Sequence, residues 1–166
     1  MINQIQEVFP NIDSCQSILN GNHTFIFEDN ELNKGVFVSD KEKYHLHIEN
    51  KTKTSFHFIQ NDDCVMINVK GGQCDYIIFD SKDFYLIDVK VAKGNFSNHR
   101  TDAYSQIQNT YKFYSKKIDF INTNMFGLVC FPSKRRIIKP SASTKRKEFK
   151  TRYKIDLKEG NYILFE

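Results

Sequence analysis

The sequence lacks long hydrophobic runs, and this absence excludes a membrane-spanning protein. Its apolar stretches are short, as in YIIF (76–79) and FYLI (84–87), whereas a transmembrane helix needs about 20 apolar residues. The first residues, MINQIQEVFPNID, contain neither the basic stretch nor the apolar stretch of a secretory signal peptide. The sequence therefore predicts a chain that has no membrane partner and is located in the cytoplasm.

Cysteine and glycine motifs are equally sparse. Cys15, Cys64, Cys74 and Cys130 show no CxxC spacing and no pair of histidines at a ligand distance from them. Free thiols in a reducing compartment are the prediction, with disulfides or a zinc site as the alternatives. Gly71-Gly72 lacks the spacing of a phosphate-binding loop, so it predicts a hairpin turn.

What the sequence does contain is an uneven charge distribution. Residues 1–132 hold 13 Lys and Arg against 16 Asp and Glu, whereas residues 133–166 hold 11 against 4. Most of this excess lies in SKRRIIKPSASTKRKEFKTRYK (133–154), where Phe149 and Tyr153 are interleaved as platforms on which bases can stack. A basic C-terminal segment of this kind indicates an anionic partner, with a lysine-rich solvated surface as the alternative.

The pattern of apolar residues predicts one α+β domain over residues 1–166. The stretch 12–19 can form an amphipathic helix, extending back to Met1 or starting at Pro10. The residues that follow are aromatic or β-branched and are broken by Asn, Asp, Lys and Gly, which is typical of strands. We expect strands at HTFIFED, GVFVSD, YHLHIEN, SFHFIQ, CVMINV, CDYIIFD and DFYLIDVK.

The last three of these strands are joined by the short turns VKGGQ and DSKD, which predicts an antiparallel meander. The period then changes to 3.6 residues over TDAYSQIQNTYKFYSKK, which predicts a helix with Ser97 or Asn98 as its N-cap. MFGLVCF (125–131) and NYILFE (161–166) are expected to be further strands. In YHLHIEN, the alternation places His45 and His47 on a solvated face, with metal binding together with His57 as the alternative.

Charged residues stand at the ends of two of the apolar strands. Asp75 opens YIIF, while Asp88 and Lys90 close FYLI and share one face of their strand because side chains alternate. A turn centred near residues 81–82 brings Asp75 opposite Asp88 in an antiparallel pair. Two carboxylates and the backbone carbonyl of Val89 then form an oxygen-rich site suited to a hard divalent cation such as Mg²⁺ or Mn²⁺.

This arrangement resembles the PD-(D/E)XK nuclease superfamily. The likeness covers about residues 56–131 and lies in Asp75, twelve intervening residues, Asp88-Val89-Lys90, and the following helix sequence AYSQIQNT. The sequence has Cys at position 74 where the superfamily has Pro, Asp rather than the commoner Glu at position 88, and Val91 where small members often have Gly.

The resemblance implies a restriction-endonuclease-like fold. Its core is an α-β-β-β-α-β unit: a central mixed sheet with an antiparallel meander, flanked by an N-terminal helix and by a helix after the Asp-x-Lys strand. It also implies a divalent-metal-dependent nuclease, more readily a DNA endonuclease than an RNase, and it allows a homodimer.

The resemblance further implies roles for individual residues. Asp75 and Asp88 would be metal ligands, Lys90 the catalytic lysine, and Gln106 the helix glutamine that faces the site. Glu7 best fits the first-helix glutamate that many members use, and Glu49 is its rival. The expected nucleic-acid contacts are the basic residues Lys134, Arg135, Arg136, Lys145, Arg146, Lys147 and Arg152.

Two alternatives remain open at this stage. Asp75 can be a turn residue at the start of a strand, and Asp88 with Lys90 an exposed ion pair at a strand end. The same fold can also carry a defective site and serve as a module that binds nucleic acid or a protein partner. The sequence does not distinguish these alternatives from an active nuclease.

Overall fold

The α+β class predicted from the sequence is confirmed. The computed structural model describes residues 2–10, 12–29, 31–32, 34–39, 43–67, 69–91, 94–133, 135–141 and 143–166. The strands, in chain order, are β1 Gln16–Leu19, β2 His23–Asp29, β3 Lys34–Val38, β4 Leu46–Asn50, β5 Phe56–Gln60, β6 Tyr76–Phe79, β7 Asp83–Val89, β8 Asn124–Cys130, β9 Ile138–Pro140, β10 Ile155–Gly160 and β11 Tyr162–Phe165. The helices are α1 Ile2–Val8, α2 Phe96–Tyr114 and α3 Ser143–Tyr153.

The strands form two mixed sheets, which pack against each other. The larger sheet has seven strands in the order β1-β5-β6-β7-β8-β10-β9. Its first four strands pair antiparallel, while β7, β8 and β10 run parallel to one another. The smaller sheet has four strands in the order β11-β4-β2-β3. The meander therefore exists, but it is formed by β5, β6 and β7.

The larger sheet is covered on both faces, which explains why its central strands are apolar along their whole length. One face packs against the helices through side chains such as Ile77, Leu86 and Ile107. The other face packs against the smaller sheet through side chains such as Ile78, Ile87 and Ile26. The predicted helix after β7 is confirmed as α2, although its N-cap is Asn95 rather than Ser97 or Asn98.

One short segment belongs to both sheets. Strand β10 lies in the larger sheet and β11 in the smaller, and only Asn161 separates them. Asn161 is fully buried, and its side chain donates to the Ser133 carbonyl (2.8 Å) and accepts from the Ile137 N–H (2.9 Å). The chain therefore changes sheets through a fixed residue rather than through a loop.

Two predicted elements are wrong. Residues 12–19 do not form a helix: Ile12–Ser14 is a single 3₁₀ turn, and Gln16–Leu19 is an edge strand paired with β5. The buried residues Ile12 and Cys15 imitate helical spacing, but strand pairing with β5 determines the structure. Of the predicted strand over 64–69, residues 64–67 and 69 are not in a strand, because the chain bends in an irregular turn at Asn61–Val65, where Asp63 has a φ of 56°. Position 68 lies outside the described residues.

The predicted state of the cysteines is also wrong in part. Cys15 and Cys64 form a disulfide, whereas Cys74 and Cys130 are buried free thiols. The two bonded cysteines are 49 positions apart, so their spacing alone gave no sign of the contact. The disulfide ties the start of β1 to the irregular turn Asn61–Val65. Within the described ranges, no helix is both long and apolar enough to cross a membrane.

His45 and His47, beside and within β4, do not lie on a solvated face. His47 is fully buried, and its ring stacks on Phe25 with the ring centroids 4.5 Å apart. The His45 ring packs beside Phe27, at a centroid distance of 4.3 Å. The face that sequence alternation assigned to solvent is therefore lined with aromatic side chains.

Candidate functional site

The β6–β7 hairpin sets the geometry of the candidate site. Asp80 holds the turn, because its Oδ1 accepts hydrogen bonds from the N–H groups of Lys82 and Asp83, both at 2.8 Å. This turn pairs Tyr76 with Ile87, so Asp75 and Asp88 follow as the next pair, as predicted. The Asp75 Oδ2 atom also accepts a hydrogen bond of 2.5 Å from the N–H of Val89.

Asp88 and Lys90 lie on the helix-facing side of β7, where α2 completes the group. The Lys90 Nζ atom lies 2.7 Å from Asp88 Oδ2 and donates a hydrogen bond of 2.6 Å to Gln106 Oε1. A Cβ atom on Gly72 would lie 2.8 Å from Gln106 Cγ, so a glycine there lets the loop pack closely on α2. The structure therefore brings Asp75, Asp88, Lys90 and Gln106 together.

Asp88 is not the exposed ion-pair residue of the alternative interpretation. Its side chain is 0% exposed. Its Oδ2 atom has the contact with Lys90 Nζ, and its Oδ1 atom accepts no hydrogen bond from the described residues. Burial raises the pKa of Asp88, the charge of Asp75 raises it further, and Lys90 opposes both effects. Native proteins rarely leave a buried polar group without partners unless the group has a role.

The pKa of Asp75 is raised as well, chiefly because the carboxyl is buried. The Val89 N–H and the charge of Lys90 act in the opposite direction. Two neighbouring carboxyls with raised pKa values and one lysine are a frequent arrangement at functional sites, where desolvation and charge partners are combined.

Two further carboxylates at this site were not predicted from the sequence. Glu28, on β2 of the smaller sheet, has its pKa raised to about 7 by burial and then by the negative charge of Asp75. Asp62 lies in the irregular turn. The Asp75 carbonyl accepts hydrogen bonds from the N–H of Asn61 (2.8 Å) and from the N–H of Asp62 (3.4 Å). The sequence offered one indication of Glu28. It is two positions from the buried Ile26 on the same strand, so it shares the face of β2 that points to the core.

The two glutamates considered from the sequence lie elsewhere. Glu7 is exposed on α1, and nothing in the described part of the chain links it to Asp75 or Asp88. Glu49 accepts hydrogen bonds from Tyr162 (2.7 Å) and Arg136 (2.8 Å). Glu49 therefore joins Tyr162 of the smaller sheet to Arg136 of the β8–β9 connection.

The carboxylates do not form a ready-made coordination sphere. Among the described residues, no three His, Cys, Asp or Glu side chains converge as the ligands of one metal ion. The donors that are present, two carboxylates and the Val89 carbonyl, are nevertheless the hard oxygen ligands that Mg²⁺ and Mn²⁺ take. The buried Oδ1 atom of Asp88, which has no partner among the described residues, fits such a cation in its chemistry.

The basic segment folds as α3 and its flanking residues, and many of its charges are paired within the chain. Salt bridges join Arg136 to Glu49 (2.8 Å), Arg146 to Asp156 (3.3 Å), and both Lys145 (2.8 Å) and Arg152 (3.4 Å) to Glu148. Arg135 and Lys147 are exposed, and Lys134 lies outside the described residues. Exposed pairs are weak, so these side chains remain able to contact phosphates.

Phe149 cannot be a stacking platform, because it is 1% exposed and belongs to the core under α3. Tyr153 is partly buried and accepts a hydrogen bond from Gln108 of α2 (2.8 Å). The α2 residues that contact α3 lie on the opposite flank of that helix from Gln106. Helix α2 therefore stands between the basic helix and Lys90.

Comparisons with known proteins identify no relative. No protein-family model, no curated protein and no solved structure matches the chain.

Proposed function

We propose that the chain is a divalent-metal-dependent nuclease of the restriction-endonuclease-like type, hydrolysing phosphodiester bonds of nucleic acid as a DNA endonuclease. The observation that carries the proposal is the meeting of Asp75, Asp88, Lys90 and Gln106 at the ends of β6 and β7. The order α1, then the antiparallel β5-β6-β7, then α2 and the parallel β8 supports it.

Asp75, Asp88 and the Val89 carbonyl would hold Mg²⁺ or Mn²⁺. When bound, such a cation stabilises negative charge on phosphate oxygens and lowers the pKa of a coordinated water. Hydrolysis adds a water oxygen to phosphorus, breaks one ester P–O bond, and transfers a proton from the water to the leaving oxygen.

Lys90 and Gln106 have separable tasks in this chemistry. Lys90 Nζ is held between Asp88 Oδ2 (2.7 Å) and Gln106 Oε1 (2.6 Å), which leaves its remaining N–H bond for a substrate oxygen. A fixed donor of this type stabilises charge that develops on a scissile phosphate. Gln106 positions the lysine, and the exposed basic residues around α3 would contact the phosphate backbone away from the cleaved bond.

The test is cleavage of supercoiled plasmid, single-stranded DNA and structured RNA in Mg²⁺, Mn²⁺ or EDTA. Lys90→Ala should reduce metal-dependent cleavage by about 100-fold or more, because one charge-stabilising donor is lost. Lys82→Ala is the matched control, since Lys82 is an exposed lysine at the other end of the same hairpin. Absence of cleavage of every polymer under both metals contradicts the proposal.

A second candidate is a nuclease-fold module that binds nucleic acid or a protein partner without cutting. The lack of three converging metal-binding side chains among the described residues favours it. Asp88→Asn distinguishes the two functions. In a nuclease, the variant loses cleavage while retaining salt-sensitive binding; in a binding module, the wild-type chain already binds without cleaving.

A further inference from the structure

Asn61 lies beside the strand end that carries Asp75, directly after the last residue of β5. Its backbone N–H donates to the Asp75 carbonyl (2.8 Å), and its side-chain amide donates to the Cys74 carbonyl (2.7 Å). The β5–β6 pairing ends with Gln60 and Tyr76, so these two bonds continue it by one position. Asn61 therefore holds both of the carbonyl groups that flank the Cα atom of Asp75.

Helix α2 holds the same segment through two hydroxyl groups. The Tyr114 hydroxyl donates to Asn61 Oδ1 (2.9 Å), and Thr110 Oγ1 accepts a hydrogen bond from the Cys74 N–H (2.9 Å). All four of these residues are fully buried. A buried donor or acceptor that loses its partner costs its full desolvation penalty, so these bonds fix the position of the segment.

The third member of this face of α2 is Gln106. Gln106, Thr110 and Tyr114 are spaced four positions apart, which places them on one side of the helix. Gln106 accepts the hydrogen bond from Lys90 Nζ (2.6 Å). One face of α2 therefore holds both Lys90 and the segment of Asp75.

The irregular turn that begins at Asn61 is itself anchored. The Met66 N–H donates to the Asn61 carbonyl (3.0 Å), and the Cys15–Cys64 disulfide joins the turn to the start of β1. Both polar groups of the Asn61 backbone and both of its side chain are thus hydrogen-bonded. The turn is a fixed support for the segment of Asp75.

We infer that Asn61, fixed by Tyr114, is a positioning residue that sets the place of the Asp75 carboxylate relative to Val89 and Lys90. It acts through the backbone of Asp75 and does not touch the reacting atoms. The consequence for metal binding rests on the proposed function, whereas the placement of the carboxylate does not.

The first experiment needs no metal and follows amide hydrogen exchange of the full chain by NMR. The Val89 N–H donates to Asp75 Oδ2 (2.5 Å), so its exchange reports a shift of that carboxylate. Tyr114→Phe removes only the hydroxyl that fixes Asn61, and Val89 should then exchange about 5-fold faster or more, as for one lost hydrogen bond. Tyr104→Phe is the matched control, because it removes a buried hydroxyl on the opposite flank of the same helix.

A second pair of variants tests the other hydroxyl. Thr110→Val keeps the shape of the side chain but leaves the Cys74 N–H without its acceptor, so it should also speed the exchange of Val89. Thr110→Ser keeps the hydroxyl and should restore the exchange rate of the wild type. Far-UV circular dichroism confirms that each variant is folded.

The second experiment measures Mn²⁺ binding by electron paramagnetic resonance and by isothermal titration, with no nucleic acid present. Tyr114→Phe and Thr110→Val should raise the dissociation constant by about 10-fold, since residues that orient a metal ligand have effects of this size. Tyr104→Phe should bind Mn²⁺ like the wild type.

The outcomes separate the inference from the proposed function. If Val89 exchanges at the same rate in Tyr114→Phe as in the wild type, or is accelerated equally in Tyr104→Phe, the inference is overturned. Faster exchange with unchanged Mn²⁺ affinity overturns it as well, because the placement of Asp75 would then not matter to the metal. If the wild type binds no Mn²⁺, the metal-dependent function fails, and the exchange of Val89 alone decides the inference.

Discussion

Two buried acidic residues, on opposite flanks of α2, have opposite surroundings. Glu159 receives the Arg100 Nε–H at both of its oxygens (3.1 Å each) and hydrogen bonds from Tyr104 and Ser141 (3.1 Å each). Within the described part of the chain, the Asp88 carboxylate has only the contact of its Oδ2 with Lys90 Nζ. A buried charge that serves the fold is surrounded by donors, whereas Asp88 is kept in a state that costs stability.

The largest expected effect comes from removing the support of Glu159. Arg100→Met leaves this acid buried with two hydroxyl donors only. The free energy of unfolding should fall by about 2–3 kcal/mol, less than the roughly 3–5 kcal/mol for a fully buried pair, because Arg100 is 33% exposed. Urea unfolding followed by circular dichroism measures it. Arg146→Met, which removes an exposed pair with Asp156, should cost less than about 0.5 kcal/mol. Equal losses of stability in the two variants would contradict a special role of Arg100 in supporting the buried Glu159.

The next largest effect concerns the β2–β3 hairpin, which carries Glu28 and packs against Tyr76 of β6. Gly35→Ala places a methyl group against the buried ring of Tyr76 and should cost about 1–2 kcal/mol through overpacking. Gly21→Ala is the control, because its nearest contact would be an ordinary 3.5 Å. Unchanged thermal unfolding of Gly35→Ala would mean that the close approach is not required.

Asp88→Asn should act in the opposite direction from Arg100→Met and raise the free energy of unfolding at pH 8 by about 1 kcal/mol. The pKa of Asp88 is higher in the folded protein than its ordinary value of 3.8. The folded state therefore holds this proton more tightly, and the resulting stability is complete below pH 3.8 and is lost as the pH rises through the raised pKa.

Asp88→Asn does not lose this stability as the pH rises. Its free energy of unfolding relative to the wild type should therefore grow from pH 5 to pH 8 in parallel urea titrations. Asp102→Asn, on the exposed face of α2, is the matched control. A variant that is less stable than the wild type at pH 8 would show that Asp88 supports the fold as Glu159 does.

The smallest effect on stability is expected for the exposed charges of α3, which belong to neither buried group. Lys147→Ala should leave unfolding within about 0.5 kcal/mol of the wild type. If Lys147 contacts a phosphate, the slope of log affinity against log salt should become shallower by about 0.9 on duplex DNA. Fluorescence anisotropy at several salt concentrations measures this slope. An unchanged slope would show that Lys147 contacts no phosphate and that the exposed charges of α3 form a solvated surface.

The site was predictable where it depends on local geometry. The length of the DSKD turn fixes the register that pairs Asp75 with Asp88, and strand alternation puts Lys90 on the same face as Asp88. Helical spacing over 96–114 then aims Gln106 at Lys90. Each of these steps spans few residues and depends on a regular period, so sequence alone is sufficient.

The features that could not be predicted from the sequence depend on contacts between segments that are far apart in the chain. The charge of Asp75 acts on Glu28 only because the smaller sheet packs on the larger, and no period in the sequence encodes that packing. The Cys15–Cys64 disulfide and the edge strand Gln16–Leu19 likewise arise from contacts with residues more than 35 positions away. Short apolar segments such as QSIL are compatible with either a helix or a strand until their neighbours are known.

The segment 155–165 gives one strand to each sheet, and this has a consequence for synthesis on the ribosome. Strand β10 pairs with β8, and β11 pairs with β4, which was made more than 100 residues earlier. Neither sheet reaches its full set of strands until this segment has left the exit tunnel. Long-range pairings of this kind close late, so the two sheets are completed only after the local β6–β7 hairpin and α2, which carry Asp75, Asp88, Lys90 and Gln106, have been made.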